Sequence, residues 1–135
     1  MTEIFQKDII MLPDELTDSA RLTEQFSAML GSSHAAKDRG IVYFYLSKEP
    51  VTTEKGHTNI LYIGKTKGSI KSRYFQYAKK LSSGRNKDFY SNIIDNYGGV
   101  SMGYVVSELP RKDEKRYFVE YRRRHGQNPP KSKRG

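Results

Sequence analysis

Residues 40–73 read GIVYFYLSKEPVTTEKGHTNILYIGKTKGSIKSR, and the fold turns on how the two short apolar runs in this stretch are read. Gly40 to Ser47 and Asn59 to Gly64 each alternate tyrosine with aliphatic residues, the period-two pattern of strands. In the first run Val42, Phe44 and Leu46 share one face, and Tyr43 and Tyr45 the other. In the second, Leu61 and Ile63 oppose Tyr62. Pairing the runs buries the aliphatic side chains and gathers Tyr43, Tyr45 and Tyr62 on the remaining face, where chemistry is expected. The connection Lys48 to Thr58 contains Pro50 and Gly56 and is long for a hairpin, so it reads as a mobile loop.

Downstream, Ile70, Tyr74, Tyr77 and Leu81 recur at helical spacing and Gly84 closes the pattern, which puts Arg73 and Tyr77 on one edge of that helix. A second helix is expected over Asp88 to Tyr97, with Asp88 at its N-cap, Tyr90, Ile93, Ile94 and Tyr97 inward, and Gly98 as its stop. Val100 to Ser107 reads as a third strand, and Lys112 to His125 as a last helix. At 100° per residue, Glu114, Tyr117, Phe118 and Tyr121 fall on one side of that helix, and Arg116, Glu120 and Arg123 on the other. Glu114 is therefore a carboxylate on an apolar stripe, a place that demands a cation or a metal ion. The plainer alternative is an acid favoured by the helix N-terminus. Glu120 reads as a partner of surface arginines.

Upstream, Asp14 to Leu30 fits an amphipathic helix stopped by Gly31, preceded by Ile9 to Leu12 as a short edge strand or extended arm and followed by a linker, GSSHAAKDRG. The expected organisation is one α+β domain over residues 40–130. It has a small three-stranded antiparallel sheet flanked by helices in the order β-β-α-α-β-α, with an N-terminal helical extension over 1–39 and a basic tail over 131–135.

The chain has 135 residues, no cysteine and a net charge of +9. That length suits a single core, and the lack of cysteine removes disulfides and thiolate zinc sites. No apolar run spans a bilayer and the N-terminus lacks a secretory pattern, so the expectation is a cytoplasmic or nucleoid-associated protein, neither secreted nor membrane-bound. The charge is uneven: residues 1–39 carry −3, 40–110 carry +5 and 111–135 carry +7. Between Lys65 and Lys87 there are eight basic residues and no acidic one. Lys67, Lys71, Lys79, Lys80, Arg85 and Lys87 read as contacts to a polyanion, most simply DNA phosphates, against the alternative of a solvated face.

Together the Gly-Ile strand start, Tyr62-Ile63-Gly64, Arg73 nine residues past that glycine, and the late Glu114 and Asn128 resemble the GIY-YIG nuclease superfamily. The likeness covers Gly40 to Pro130, and its C-terminal part, EKRYFVEYRRRHGQNPP, is similar to phage and homing-type members. The first motif departs from the pattern, because Val42 stands third after Gly40. Strand alternation favours Tyr43 for the motif tyrosine, with Tyr45 as the alternative. The resemblance implies hydrolysis of a DNA phosphodiester with one divalent ion, Mg2+ or Mn2+. Glu114 would be the metal ligand, Tyr43 the base relayed with Tyr62, and Lys65 and Arg73 the cations at the phosphate. Tyr77 as a catalytic residue and Asn128 as a nucleic-acid contact would stand around the scissile phosphate or shape the site. A tyrosine of ordinary pKa, about 10, needs such a neighbouring cation to act near neutrality. Specificity would then come from loops, residues 1–39, a homodimer or a targeting partner. Two other readings compete: a catalytically inactive nucleic-acid-binding module of the same fold, and a domain whose basic face meets an acidic protein.

Gly64-Lys65-Thr66 is not a phosphate-binding loop, since that motif needs glycine where Asn59 stands. His34, His57 and His125 lack metal-ligand spacing.

Overall fold

In the computed structural model, which describes residues 9–74, 81 and 84–132, the five consecutive residues Ile41 to Tyr45 are all buried. A strand buries consecutive residues only when both faces of its sheet are covered. That strand, β2 (Ile41–Thr53), is flanked by β3 (Gly56–Thr66) on one side and β4 (Val100–Val106) on the other. Beyond β4 lies β1 (Ile10–Leu16), and the order across the sheet is β1-β4-β2-β3 with every pair antiparallel.

The sheet thus has four strands, not the three expected: the extra one begins in Ile9 to Leu12, read as a short edge strand or extended arm, and runs on through Asp14 to Leu16, read as the start of a helix. Pro13 is compatible with this placement. It lacks an N–H and pushes the preceding residue out of helical conformation, yet it is tolerated in an edge strand. The pairing of β1 with β4 shifts register between Met11 and Glu15, around that proline. The chain turns helical only after Asp18, whose side chain accepts from Ala20 N at 2.9 Å, while Gln25 Oε1 accepts from the N–H groups of Thr17 and Asp18. Helix α1 (Leu22–Leu30) then buries Leu22, Phe26 and Met29 and stops at Gly31. The expected linker contains a short helix, α2 (Ser33–Lys37), capped by Ser32.

Two further expectations are corrected at the β2–β3 hairpin. The segment read as a mobile loop is paired strand: Val51 faces Thr58, Thr52 faces His57 and Thr53 faces Gly56, which leaves Glu54 and Lys55 as the turn. The β-branched residues around Pro50 and Gly56 favour the extended state. The tip is fastened to the end of the last helix, where Thr53 Oγ1 lies 3.0 Å from His125 Nδ1 and Glu54 N donates to Gln127 Oε1 at 3.0 Å. The second correction concerns Leu61. Tyr45 pairs with Tyr62 but Leu46 pairs with Ile60, so β3 carries one extra residue at a bulge. Leu61 consequently joins the core on the tyrosine face instead of opposing Tyr62.

After β3, α3 (Ile70–Arg73) is one turn closed by reciprocal bonds between Ser69 and Ser72. The helix expected to run on to Gly84 passes through residues 75–80 and 82–83, outside the described residues. Helix α4 (Gly84–Tyr97) begins one turn earlier than expected, so Asp88 is inside it and not at its N-cap. Tyr90, Ile93 and Ile94 face inward as their spacing predicts, and α5 (Pro110–His125) closes the fold.

These elements make three layers. Helices α1 to α4 cover the face carrying Tyr43, Tyr45 and Leu61, and α5 covers the face carrying Val42, Phe44, Ile60 and Ile63. The tyrosine face is therefore core. Tyr45 Oη bonds to the hydroxyls of Tyr74 and Tyr90, and Phe26 meets the rings of Tyr74 and Tyr90 edge-on at 5.6 Å each. Gly64 is required by the same packing, because a Cβ there would lie 2.4 Å from the buried Tyr43 ring. Among the described residues no helix is long and apolar enough to cross a membrane.

If residues before Gly40 are integral to the core, Phe26→Ala lowers the unfolding free energy by about 3–5 kcal/mol in denaturant titrations. A loss below about 1 kcal/mol would mean the N-terminal segment is a dispensable cover.

Candidate functional site

Three strand ends and one helix start converge at the same end of the sheet. Gly40, at the start of β2, adopts φ 77°, where a side chain is disfavoured, and a Cβ would also sit 2.9 Å from Ser107 O. Its N–H donates to Gly68 O at 3.0 Å and its carbonyl accepts from Ser107 N at 2.8 Å, tying the exits of β3 and β4 together. Ser107 Oγ donates to Asp113 Oδ2 at 2.6 Å and accepts from Leu109 N at 3.2 Å, and Asp113 N donates to Leu109 O at 2.9 Å. The start of α5 is thereby locked onto the sheet.

These bonds frame an open cleft of about 1090 Å3. Its charged lining is Arg39, Lys65, Lys67, Arg111, Lys112 and Lys115, opposed by a single acid, Glu108. Such a concentration of one sign attracts polyanions. Only Lys65 and Lys67 belong to the basic run read from the sequence. Arg111, Lys112 and Lys115 were legible as part of the +7 of the last 25 residues, and Arg39 carried no signal beyond its charge.

Lys65 also reaches inward. By strand alternation it shares the face of Ile63, and its Nζ lies 3.7 Å from Glu114 Oε1. The Glu114 side chain is 8 % exposed and that of Lys65 28 %, so Lys65 lines the cleft and the carboxylate stands behind it, outside the cleft's own lining. Tyr117, Phe118 and Tyr121 continue the buried stripe of α5, while Glu120 faces outward and pairs with Arg123.

The tyrosines lie on the opposite face of the sheet from Glu114. Tyr43 is 1 % exposed and hydrogen-bonds with Arg73 and Tyr74. Tyr62 is half-buried and stacks on Tyr45 at 4.6 Å and on Tyr43 at 6.2 Å. Burial, reinforced by neighbouring tyrosines, holds the hydroxyls of Tyr45 and Tyr74 well above the ordinary tyrosine range. Tyr45, the alternative for the first motif, is thus a protonated core hydrogen-bonding group. Arg73 lies over the Tyr74 ring at 5.3 Å. Partial burial works against its charge, but Tyr43 and Tyr74 outweigh it and hold the guanidinium more firmly protonated.

The other predicted residues are dispersed. Lys71 is exposed on α3, and Arg85 and Lys87 are exposed on the first turn of α4. Lys87 lines a separate hollow with Ser19 to Glu24. Tyr77, Lys79 and Lys80 lie outside the described residues. Asn128 is at the far end of α5, where its Oδ1 accepts from Arg122 Nη1 at 3.0 Å, and the turns between Glu114 and His125 separate the two by about 16 Å. Beyond Asn128 the chain returns to β3: Lys131 N donates to Leu61 O at 2.8 Å and Ser132 Oγ accepts from Ile63 N at 3.2 Å. The first two residues of the expected tail therefore cap the sheet edge.

Among the described residues no group of three or more His, Cys, Asp or Glu is gathered, and of the acids singled out for a metal Glu114 is a lone carboxylate. That donor set suits magnesium, which commonly takes one or two carboxylates and completes its shell with water and phosphate oxygens. Lys65 is the competing cation. Comparison with known protein families, with curated proteins and with solved structures finds no match for the chain.

Removing Lys65 takes the nearby cation from a buried carboxylate, so Lys65→Met destabilises the protein more than Glu114→Gln does, and the double variant recovers part of the loss. A double-mutant cycle by denaturant unfolding should give a coupling of about 0.5–3 kcal/mol. Strict additivity would mean the pair makes no energetic contact.

Proposed function

We propose that the protein is a metal-dependent endonuclease that draws a DNA backbone into the basic cleft and hydrolyses a phosphodiester beside Lys65. The observation that carries this reading is Glu114, a buried carboxylate 3.7 Å from the ammonium of Lys65, which itself lines a cleft whose charges are almost all basic. Binding a polyanion alone would not call for an acid in that position, because it weakens the field that attracts phosphate. The resemblance of Tyr62 to Lys65, Arg73 and Glu114 to GIY-YIG nucleases points the same way.

In this reading Arg39, Lys67, Arg111, Lys112 and Lys115 hold flanking phosphates by charge. Lys65 neutralises a phosphate oxygen at the scissile position, and Arg73 can present its planar fork to the backbone from the other side of the β3 edge. Glu114 would hold a Mg2+ or Mn2+ ion, which when bound supplies charge neutralisation and orients the phosphate. Of the two tyrosines weighed as base, half-buried Tyr62 is the one water can reach, while Tyr43 fixes Arg73 from the core.

The second reading, a nucleic-acid-binding module without catalysis, is favoured by one observation: the Tyr43–Arg73 group and Glu114 lie on opposite faces of the sheet. A supercoiled-plasmid assay separates the two. Nicking or linearisation is expected with Mg2+ and not with EDTA, lost in Glu114→Ala and Glu114→Gln with DNA binding retained, and unchanged in Glu120→Ala. Tight binding with no cutting in either Mg2+ or Mn2+ establishes the binding module instead. Loss of cutting in the Glu120 variant but not in the Glu114 variants would overturn the assignment of the acid.

A further inference from the structure

The basic cleft is not lined by charge alone. Val106 and Leu109 are 56 % and 60 % exposed, and both line it together with Pro110. Exposed apolar residues scattered singly need no explanation, but these line one cleft together with six cations and a single acid, and Leu109 and Pro110 form an apolar knuckle at the start of α5. The knuckle is also held stiffly. Leu109 N donates to Ser107 Oγ, Leu109 O accepts from Asp113 N, Ser107 Oγ bonds to Asp113, and Pro110 fixes its own φ at the first position of α5. Leu109 is thus a rigid apolar tip in a cleft that Arg39, Lys67, Arg111 and Lys112 also line.

Duplex DNA has the complementary pattern, with phosphates outside and apolar base faces exposed only when a step is unstacked. Proteins that bend DNA use this arrangement, inserting an apolar wedge while flanking cations hold the strands. We propose that Leu109, backed by Pro110, is a wedge that enters a base step of duplex DNA seated in the cleft, so that the protein kinks the duplex and prefers steps that unstack easily. The inference rests on the nucleic-acid reading of the cleft and is independent of cleavage.

The test is energy transfer between dyes on the two ends of a duplex of about 30 base pairs, in EDTA so that nothing is cut. The wild-type protein should raise transfer as expected for a kink of about 20–90°, more with a central TA or CA step than with an A-tract. Leu109→Ala should bind with an unchanged salt slope but without the rise in transfer. Leu109→Met, which restores an apolar tip, should recover the rise, and Arg111→Ala should reduce the slope by about one while leaving bending intact at saturation. Equal bending by Leu109→Ala, binding by the wild type without bending, equal affinity for a single strand of the same length, or displacement of the duplex by polyglutamate at equal charge would each overturn the wedge. Absence of any duplex binding would instead remove the nucleic-acid reading on which it stands. Bending without cleavage in Mg2+ leaves the wedge in place and refutes only the nuclease.

Discussion

Strand β2 is covered on both faces, and the geometry of the candidate site follows from that. Because side chains alternate strictly along a strand, Tyr43 and Tyr45 must enter the layer beneath α1 to α4 while Val42 and Phe44 enter the layer beneath α5. Whatever α5 contributes is thereby placed on the Val42 side. Glu114 and Lys65 meet there, and the tyrosine cluster with Arg73 is held on the other side. The two sets can approach one another only around the edge of the sheet, at the Gly64 end of β3. The neighbouring part of that edge, Leu61 to Ile63, is capped by Lys131 and Ser132. The cleft lies at the end of the sheet where β2 starts and β3 and β4 finish.

The burial that separates the tyrosines from Glu114 also gives them a structural role. Tyr45, Tyr74 and Tyr90 share hydroxyl hydrogen bonds inside the larger core, and Tyr104 Oη donates to Asp38 at 2.6 Å. A buried hydroxyl without a partner is costly, so a core this rich in tyrosine is stable only with its network intact. Such a network specifies one packing of α1, α3 and α4 against the sheet. It positions Arg73 by holding Tyr43 and Tyr74 rigid beneath it.

The electrostatics are arranged with similar economy. Cations from three separate parts of the chain, at Arg39, at Lys65 and Lys67, and at Arg111 to Lys115, are brought together by the bonds through Gly40 and Ser107. Exposed charges at this spacing attract a polyanion in a salt-dependent way and contribute little to stability. The Lys65–Glu114 pair differs because it is partly desolvated, which makes the loss of either partner consequential for folding as well as for the cleft.

Much of this was already written in local pattern. Alternation alone assigned Val42 and Phe44 to one face and Tyr43 and Tyr45 to the other, the 3.6-residue period put Glu114 inward and Glu120 outward on the last helix, and the inward face of α4 followed from Tyr90, Ile93 and Ile94. These readings hold because each depends only on the geometry of one element. Tertiary structure decided everything that required two elements to meet. Ile9 to Leu12 could be read as an edge strand or an extended arm, and only the free edge of β4 extends it to Ile10–Leu16. Leu61 changes face because the hairpin accommodates an extra residue, and Lys48 to Thr58 is strand because its tip finds His125 and Gln127. The opposition of Tyr43 and Glu114 across the sheet, and the union of Arg39, Lys67 and Lys112 in one cleft, could not be read from spacing, since periodicity fixes a side chain's direction on its own element and not what is packed against it.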